Sequence, residues 1–205
     1  ERELRVWANS SRARRHALRD ASLESMCIAA CTHCLGGAVS DQEQVFAERI
    51  GRGSPPLAPR PTSFRQIVAP IIEANNGVLL KCDADNCYAF FGKTDDAIQA
   101  SFDVNRALFR ANDAFGIGEQ IYLSVGIDYG RVLLAGDIDF FGDPVNTASK
   151  LGEDLAVREE VLVTRRAIEH SEFQIPELAE RMTARISEIE IQYVRLPMTE
   201  IVQDG

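Results

Sequence analysis

Three short stretches of this chain carry residue types that do chemistry. "KCDADNCYAFF", residues 81–91, sets Lys81, Asp83 and Asp85 between apolar runs. "DFFGDPVNTASK", residues 139–150, places Asn146 and Lys150 four apart, on one face of a helix that Asp143 would cap and Pro144 would open. Both then lie near the positive end of the helix dipole, a ready place for phosphate. "CTHC", residues 31–34, has the C-x-x-C spacing of zinc and redox sites. The chain has five cysteines and three histidines but no second such pair, so this spacing does not read as a metal centre. An odd cysteine count does not suggest a disulfide framework either, and it points to a reducing compartment.

The elements around these residues can be read from periodicity. Residues 78–82 and 87–91 are expected as a hairpin whose tip, Asp83-Ala84-Asp85-Asn86, suits a tight turn. From the hairpin alone, Asp85 is a turn residue capping its own backbone. Before it, Ser63 can start a helix whose Phe64, Ile67, Val68, Ile71 and Ile72 keep helical spacing, with Pro70 as a kink and Asn75-Asn76-Gly77 as the stop. After it, Thr94, Asp95 and Asp96 open a helix with Ile98, Phe102 and Phe109 on one face. Ile121, Leu123, Val125 and Ile127 alternate as a strand with one buried face, and Asp128-Tyr129-Gly130 is expected to turn it into a second strand over 132–135. "SMCIAAC", 25–31, reads as a short buried strand, and 32–62 as irregular, with Pro55, Pro56, Pro59 and Pro61 close together. "EVLVT", 160–164, is another strand, 165–185 is mostly helical in character, and 186–196 holds a terminal strand. Helices interspersed with hairpins give an α+β sandwich, helices packed on a mostly antiparallel sheet.

The chain's 205 residues suffice for one domain with a substantial core. Net charge is −9; six Arg against three acids in residues 1–20 contribute +3, which leaves −12 for the rest. The basic leader reads as an N-terminal extension or linker, and the acidic body over 21–205 argues against a nucleic-acid partner. No apolar run approaches the roughly 20 residues that cross a bilayer, and no apolar signal core follows the arginines. A cytoplasmic protein is the expectation. The chain begins without Met, which fits a piece of a longer protein with an attached regulatory domain.

In order along the chain, "GVLLKCDADNCYAFF", "YLSVGIDYGRVLLAG" and "DFFGDPVNTASKL" resemble three motifs of the class III nucleotide cyclase catalytic domain. These are a Lys-x-x-Gly-Asp hairpin, a VGI-x-x-G-x-V-x-x-G hairpin and a D-x-x-G-x-x-VN-x-A-x-(Arg)-L segment. The resemblance covers about residues 64–196. It implies a ferredoxin-like α/β sandwich and a head-to-tail homodimer. It also implies conversion of ATP or GTP to the 3′,5′-cyclic monophosphate and pyrophosphate, assisted by two Mg²⁺ or Mn²⁺ ions. By position, Asp85 would bind metal, Lys81 and Asp139 would read the base, Asn146 would position the ribose, and Lys150 would stabilise the transition state. Asp83 carries no family role. Guanine-reading members carry Glu and Cys where this chain has Lys81 and Asp139, so the substrate implied is ATP.

Two departures stand out. Lys150 occupies the place of an arginine, and a point charge lacks the planar fork that grips phosphate oxygens. No D-x-x-G-F occurs in the chain, although the family's first strand ends in it and its aspartate binds both metals. Here "SMCIAAC" runs into Thr32-His33-Cys34, and Asp41, the nearest acid downstream, has unlike surroundings. Three readings of residues 31–62 remain: divergence, a shift of reading frame, or another acid substituting in three dimensions. The alternative function is a catalytically impaired cyclase-like module that binds nucleotide or dimerises.

Overall fold

The computed structural model describes residues 23–35, 60–83, 86–113, 120–135, 139–186 and 189–197. Its centre is a sheet built on two long strands, β1 (Leu23–Leu35) and β4 (Ile121–Ala135), which pair antiparallel from Leu23↔Val132 to Leu35↔Ile121. The hairpin of β2 (Val78–Asp83) and β3 (Asn86–Phe91) adds to the free side of β1. β6 (Glu160–Thr164) joins the other side of β4 in parallel, followed by β8 (Ile189–Pro197) and β7 (Glu180–Ile186), while β5 (Asp139–Phe141) folds back on the end of β4. The order is β2-β3-β1-β4-β6-β8-β7, and β4–β6 is its parallel pair.

Helices cover both faces. On one lie α1 (Arg60–Ala74) and α2 (Thr94–Asn112), whose Phe64, Val68, Ile72, Ile98 and Leu108 meet Leu123, Val125 and Ile127 of β4. On the other lie α3 (Asp143–Lys150) and a π-helical turn, Leu151–Leu155, closed by the Ala156 amide on the Leu151 carbonyl. There Val145 and Ala148 pack with Val78, Phe90 and Val132, and Leu151 packs with Leu162, Ile191 and Tyr193. A short α4 (Arg165–Glu169) follows β6, with the Thr164 hydroxyl accepting from the Ala167 amide as its N-cap.

The expected α+β architecture is therefore present, but several local expectations are corrected. β4 is one strand: Asp128, Tyr129 and Gly130 stay in the β1 ladder opposite Ile28, Cys27 and Met26. The Asp128 carboxylate finds Arg166 and Thr164 as partners across the fold. β4 is also buried on both faces, because α3 and the π-turn cover Ser124 and Gly126. A Cβ at Gly126 would lie 2.0 Å from the Ala148 carbonyl and 2.6 Å from the Gly152 amide nitrogen, so glycine is what lets the helix sit this close.

Residues 165–185 hold only the five-residue α4 and then β7, an edge strand in which half-buried Met182, Ala184 and Ile186 alternate with exposed Arg181, Thr183 and Arg185. Phe109 is 57% exposed. The buried arc of α2 centres nearer Ser101 and Leu108; Phe102, at the same margin, is covered by Phe173, 6.3 Å away ring to ring. Cys82 and Cys87, opposite one another in the hairpin, form a disulfide, which the odd cysteine count concealed. Cys31 and Cys34 fall within the β1 ladder, opposite Val125 and Tyr122.

Candidate functional site

β2 ought to turn Lys81 towards α1 and α2, because Val78 and Leu80 take the opposite face. A bulge prevents this: Leu79 pairs with Ala89 but Lys81 pairs with Tyr88, so Leu80 is an extra residue. The bulge puts Lys81 on the same face as Tyr88, the α3 face. It also lets Cys82 meet Cys87 on the other.

Tyr88 is the meeting point on that face. Its hydroxyl accepts from Ser149 Oγ of α3 at 3.2 Å and donates to Glu153 Oε1 of the π-turn at 3.4 Å. The same Glu153 oxygen accepts from Asn86 Nδ2 at 3.1 Å. The Tyr88 ring lies 5.1 Å from that of Phe140, which also meets Phe90 edge-on at 5.7 Å. Burial is the main influence raising the Tyr88 phenol above its ordinary value; the Ser149 hydrogen bond and Lys81 pull it down, and Glu153 pushes it further up.

α3 starts after Gly142, whose φ of +148° suits glycine alone and whose carbonyl accepts from the Val145 and Asn146 amides. Asp143, expected as the cap, is instead the first helical residue, and no side chain caps the helix. Asn146 and Lys150 open onto a cleft of about 620 Å³, lined also by Arg165, Arg166 and Glu169 beyond β6 and by Gln192 of β8. Asp143, in the first turn, partly offsets the positive end of the helix dipole, so an anion would depend on side-chain cations.

Two of these cations are committed. Arg165 holds Glu169 at 2.8 Å and Gln192 at 3.0 Å. Arg166 grips Asp128 through Nε, at 2.6 Å, and Nη2. Asp128 is fully buried and also accepts from Thr164 Oγ1 at 2.6 Å and the Tyr129 amide at 2.8 Å. The Arg166–Asp128 hydrogen bond is the main influence holding the Arg166 guanidinium above its ordinary value. Lys150 is engaged by no carboxylate among the described residues.

Of the residues singled out in the sequence, Lys81, Asn146 and Lys150 thus fall on one side of the sheet. Asp139 lies in β5 opposite Ala135, next to Phe140; its side chain is outside the described residues. Asp85 and Asp41 lie outside them altogether, and Asp83 is placed by its backbone alone, opposite Asn86. Among the described residues no three His, Cys, Asp or Glu side chains gather to hold a metal ion, so those residues do not by themselves form the two-ion site.

Sequence reasoning passed over Tyr88, Ser149, Glu153 and the Asp128–Arg166 pair. The available signal was Asn86 and Tyr88 alternating with Cys87 and Ala89 in β3, which marks two polar side chains on one face. Their partners lie more than 60 residues away.

The fold is that of adenylate and guanylate cyclase catalytic domains. An adenylate/guanylate cyclase/hydrolase from Silicibacter pomeroyi superposes with a TM-score of 0.62 at 19% identity, covering 85% of this chain and 98% of that one. A guanylate cyclase domain from Catenaria anguillulae, in complex with GTP, gives 0.62 at 14%, covering 84% and 95%. A bacterial light-regulated adenylyl cyclase gives 0.62 at 18%, covering 88% of this chain and 56% of that one. No protein-family model and no curated protein matches the chain.

Proposed function

We propose that this chain, sharing the fold of the nucleotide cyclase domains, is a class III adenylate cyclase domain. It would span 21–205 behind an N-terminal extension and convert ATP to 3′,5′-cyclic AMP and pyrophosphate. The observation that carries the reading is the bulge at Leu80, which brings Lys81 to the face where β5 and α3 meet. In the proposal the Lys81 ammonium donates to adenine N1 and the Asp139 carboxylate accepts from the exocyclic amine. Asn146 holds the ribose so that its 3′-hydroxyl attacks the α-phosphorus in line, losing its proton as pyrophosphate leaves. Lys150, in the cleft and paired with no carboxylate among the described residues, stabilises the charge that grows on the phosphates. Mg²⁺ or Mn²⁺ belongs to the proposal through Asp85 and would neutralise triphosphate charge when bound.

A homodimer, each site taking Asp85 from one chain and the other four residues from its partner, is part of the same reading. Ile121 and Leu123 of β4 are both buried and offer nothing to a second chain. The exposed apolar pair lies further along the strand, where Leu133 (61% exposed) faces Phe141 (57%) across the β4–β5 ladder. Such a pair favours a protein partner. No helix among the described residues is long and apolar enough to cross a membrane. A cytoplasmic setting and an attached regulatory domain remain part of the proposal.

The second reading, a module that binds nucleotide without turning it over, is favoured by the missing D-x-x-G-F. Incubating the purified chain with ATP and Mn²⁺ separates the two. Cyclic AMP that disappears in Asp85→Ala supports the enzyme, and nucleotide binding without product supports the module. Product unaffected by Asp85→Ala removes that residue from the metal site. Substituting Asp139 should shift the choice between ATP and GTP; an unchanged ratio removes it from base reading.

A further inference from the structure

Tyr88 has no part in the chemistry above, yet it touches the elements that carry Lys81, Asp139, Asn146 and Lys150. Across the ladder it faces Lys81. Its ring supports Phe140, the residue after Asp139. Its hydroxyl takes a hydrogen bond from Ser149, which stands between the positions of Asn146 and Lys150 on α3. That hydroxyl also binds Glu153, which reaches β3 from the π-turn seated over Gly126 and simultaneously holds Asn86 at the base of the hairpin tip. A π-turn advances the chain differently from an α-turn, and such turns are frequent at functional sites. Here it supplies the one carboxylate oxygen shared by Asn86 and Tyr88.

We propose that Tyr88 is a positioning residue of the nucleotide site, a strut that fixes Lys81 and β5 relative to α3 and thereby sets the discrimination between adenine and guanine. This inference rests on the cyclase reading. A base is read by hydrogen bonds whose strength depends on tenths of an ångström, whereas phosphate is held by longer-range charge. Loosening the strut therefore acts on base selection more than on the chemical step. The conserved ring of Tyr88→Phe would keep the packing on Phe140 and lose both hydroxyl contacts, so the variant is expected to fold.

The test is steady-state kinetics with ATP and with GTP for the wild type, Tyr88→Phe, Glu153→Ala and Glu153→Gln, together with melting temperatures. Tyr88→Phe should raise KM for ATP and lower the ATP-over-GTP ratio of kcat/KM by about three- to tenfold, with kcat changed by less than about twofold. Glu153→Ala should do the same, and Glu153→Gln, which retains an acceptor, should restore most of the preference. An unchanged ratio in Tyr88→Phe overturns the inference. So does an equal fall for both nucleotides that tracks a lowered melting temperature, since that is the mark of a structural role alone. A wild type that binds neither nucleotide sinks the cyclase reading and this inference with it; an active wild type with an unaltered Tyr88→Phe sinks the inference only.

Discussion

Asp128 shows how a charge can sit in the middle of a central strand. Fully buried, it accepts from Arg166, Thr164 and its own neighbour's amide. Arg166→Ala would leave that carboxylate buried with its charge unmatched. Because the guanidinium is itself 44% exposed and partly solvated, the expected loss is about 2–3 kcal/mol, below the full cost of breaking a dry pair. Urea unfolding of the variant measures it, and a change under about 0.5 kcal/mol would mean the pair does little for stability. The sequence could not disclose this pair. Asp128-Tyr129-Gly130 has the composition of a turn, and its partner lies 38 residues on.

At the level of elements, α2 and the β4–α3 contact are where opposing effects can be weighed. Asp96 lies in the first turn of α2, where the helix dipole favours its ionised form. Burial outweighs this and raises its pKa above the ordinary carboxylate value, against the Asn76 hydrogen bond and Lys93, which lower it, and with Asp95, which adds to the rise. The native state therefore holds that proton more tightly than the unfolded chain does. Stability falls as pH rises from the ordinary carboxylate value through the raised native one. Asp96→Asn should remove that contribution from the slope of urea midpoints as pH rises above the ordinary carboxylate value of about 4; an identical slope in both proteins refutes the assignment. At Gly126 the issue is space. A methyl group there meets the Ala148 carbonyl, which is backbone and cannot swing aside, so Gly126→Ala should cost about 3 kcal/mol and displace α3. A melting temperature equal to the wild type's would show that the helix has room to move. The start of α2 and the β2–β3 hairpin were legible because an acidic first turn, turn residues and apolar spacing act locally. The bulge at Leu80 was not, since one extra residue in a ladder depends on which partner strand it faces.

For the whole molecule, the proposal that each site draws on two chains makes a prediction about mixtures. Asp85→Ala and Lys150→Ala should each be inactive as homodimers. When they are mixed in equal amounts, half the dimers are mixed, and each of these holds one intact site and one doubly altered site. Recovery of about a quarter of wild-type activity is expected. Sedimentation of Leu133→Lys, together with its activity, locates the interface: a monomer without activity places it at the β4–β5 hairpin, and an unchanged dimer places it elsewhere. The disulfide of Cys82 and Cys87 sits awkwardly with the reducing compartment that the cysteine count suggested, because a cytosolic disulfide is uncommon.

The sequence by itself determined the α+β class, most of the strands and long helices, and the order of three motifs. It could do so because turns and periodic apolar positions act over a few residues. Only the tertiary structure decided that β4 is continuous and covered on both faces, that residues 180–186 are an edge strand, and that Lys81 turns towards α3. Those outcomes depend on which surfaces meet across the sheet. Pairs such as Tyr88 with Glu153, 65 residues apart, become neighbours only when the close approach at Gly126 brings α3 and the π-turn down onto the strands.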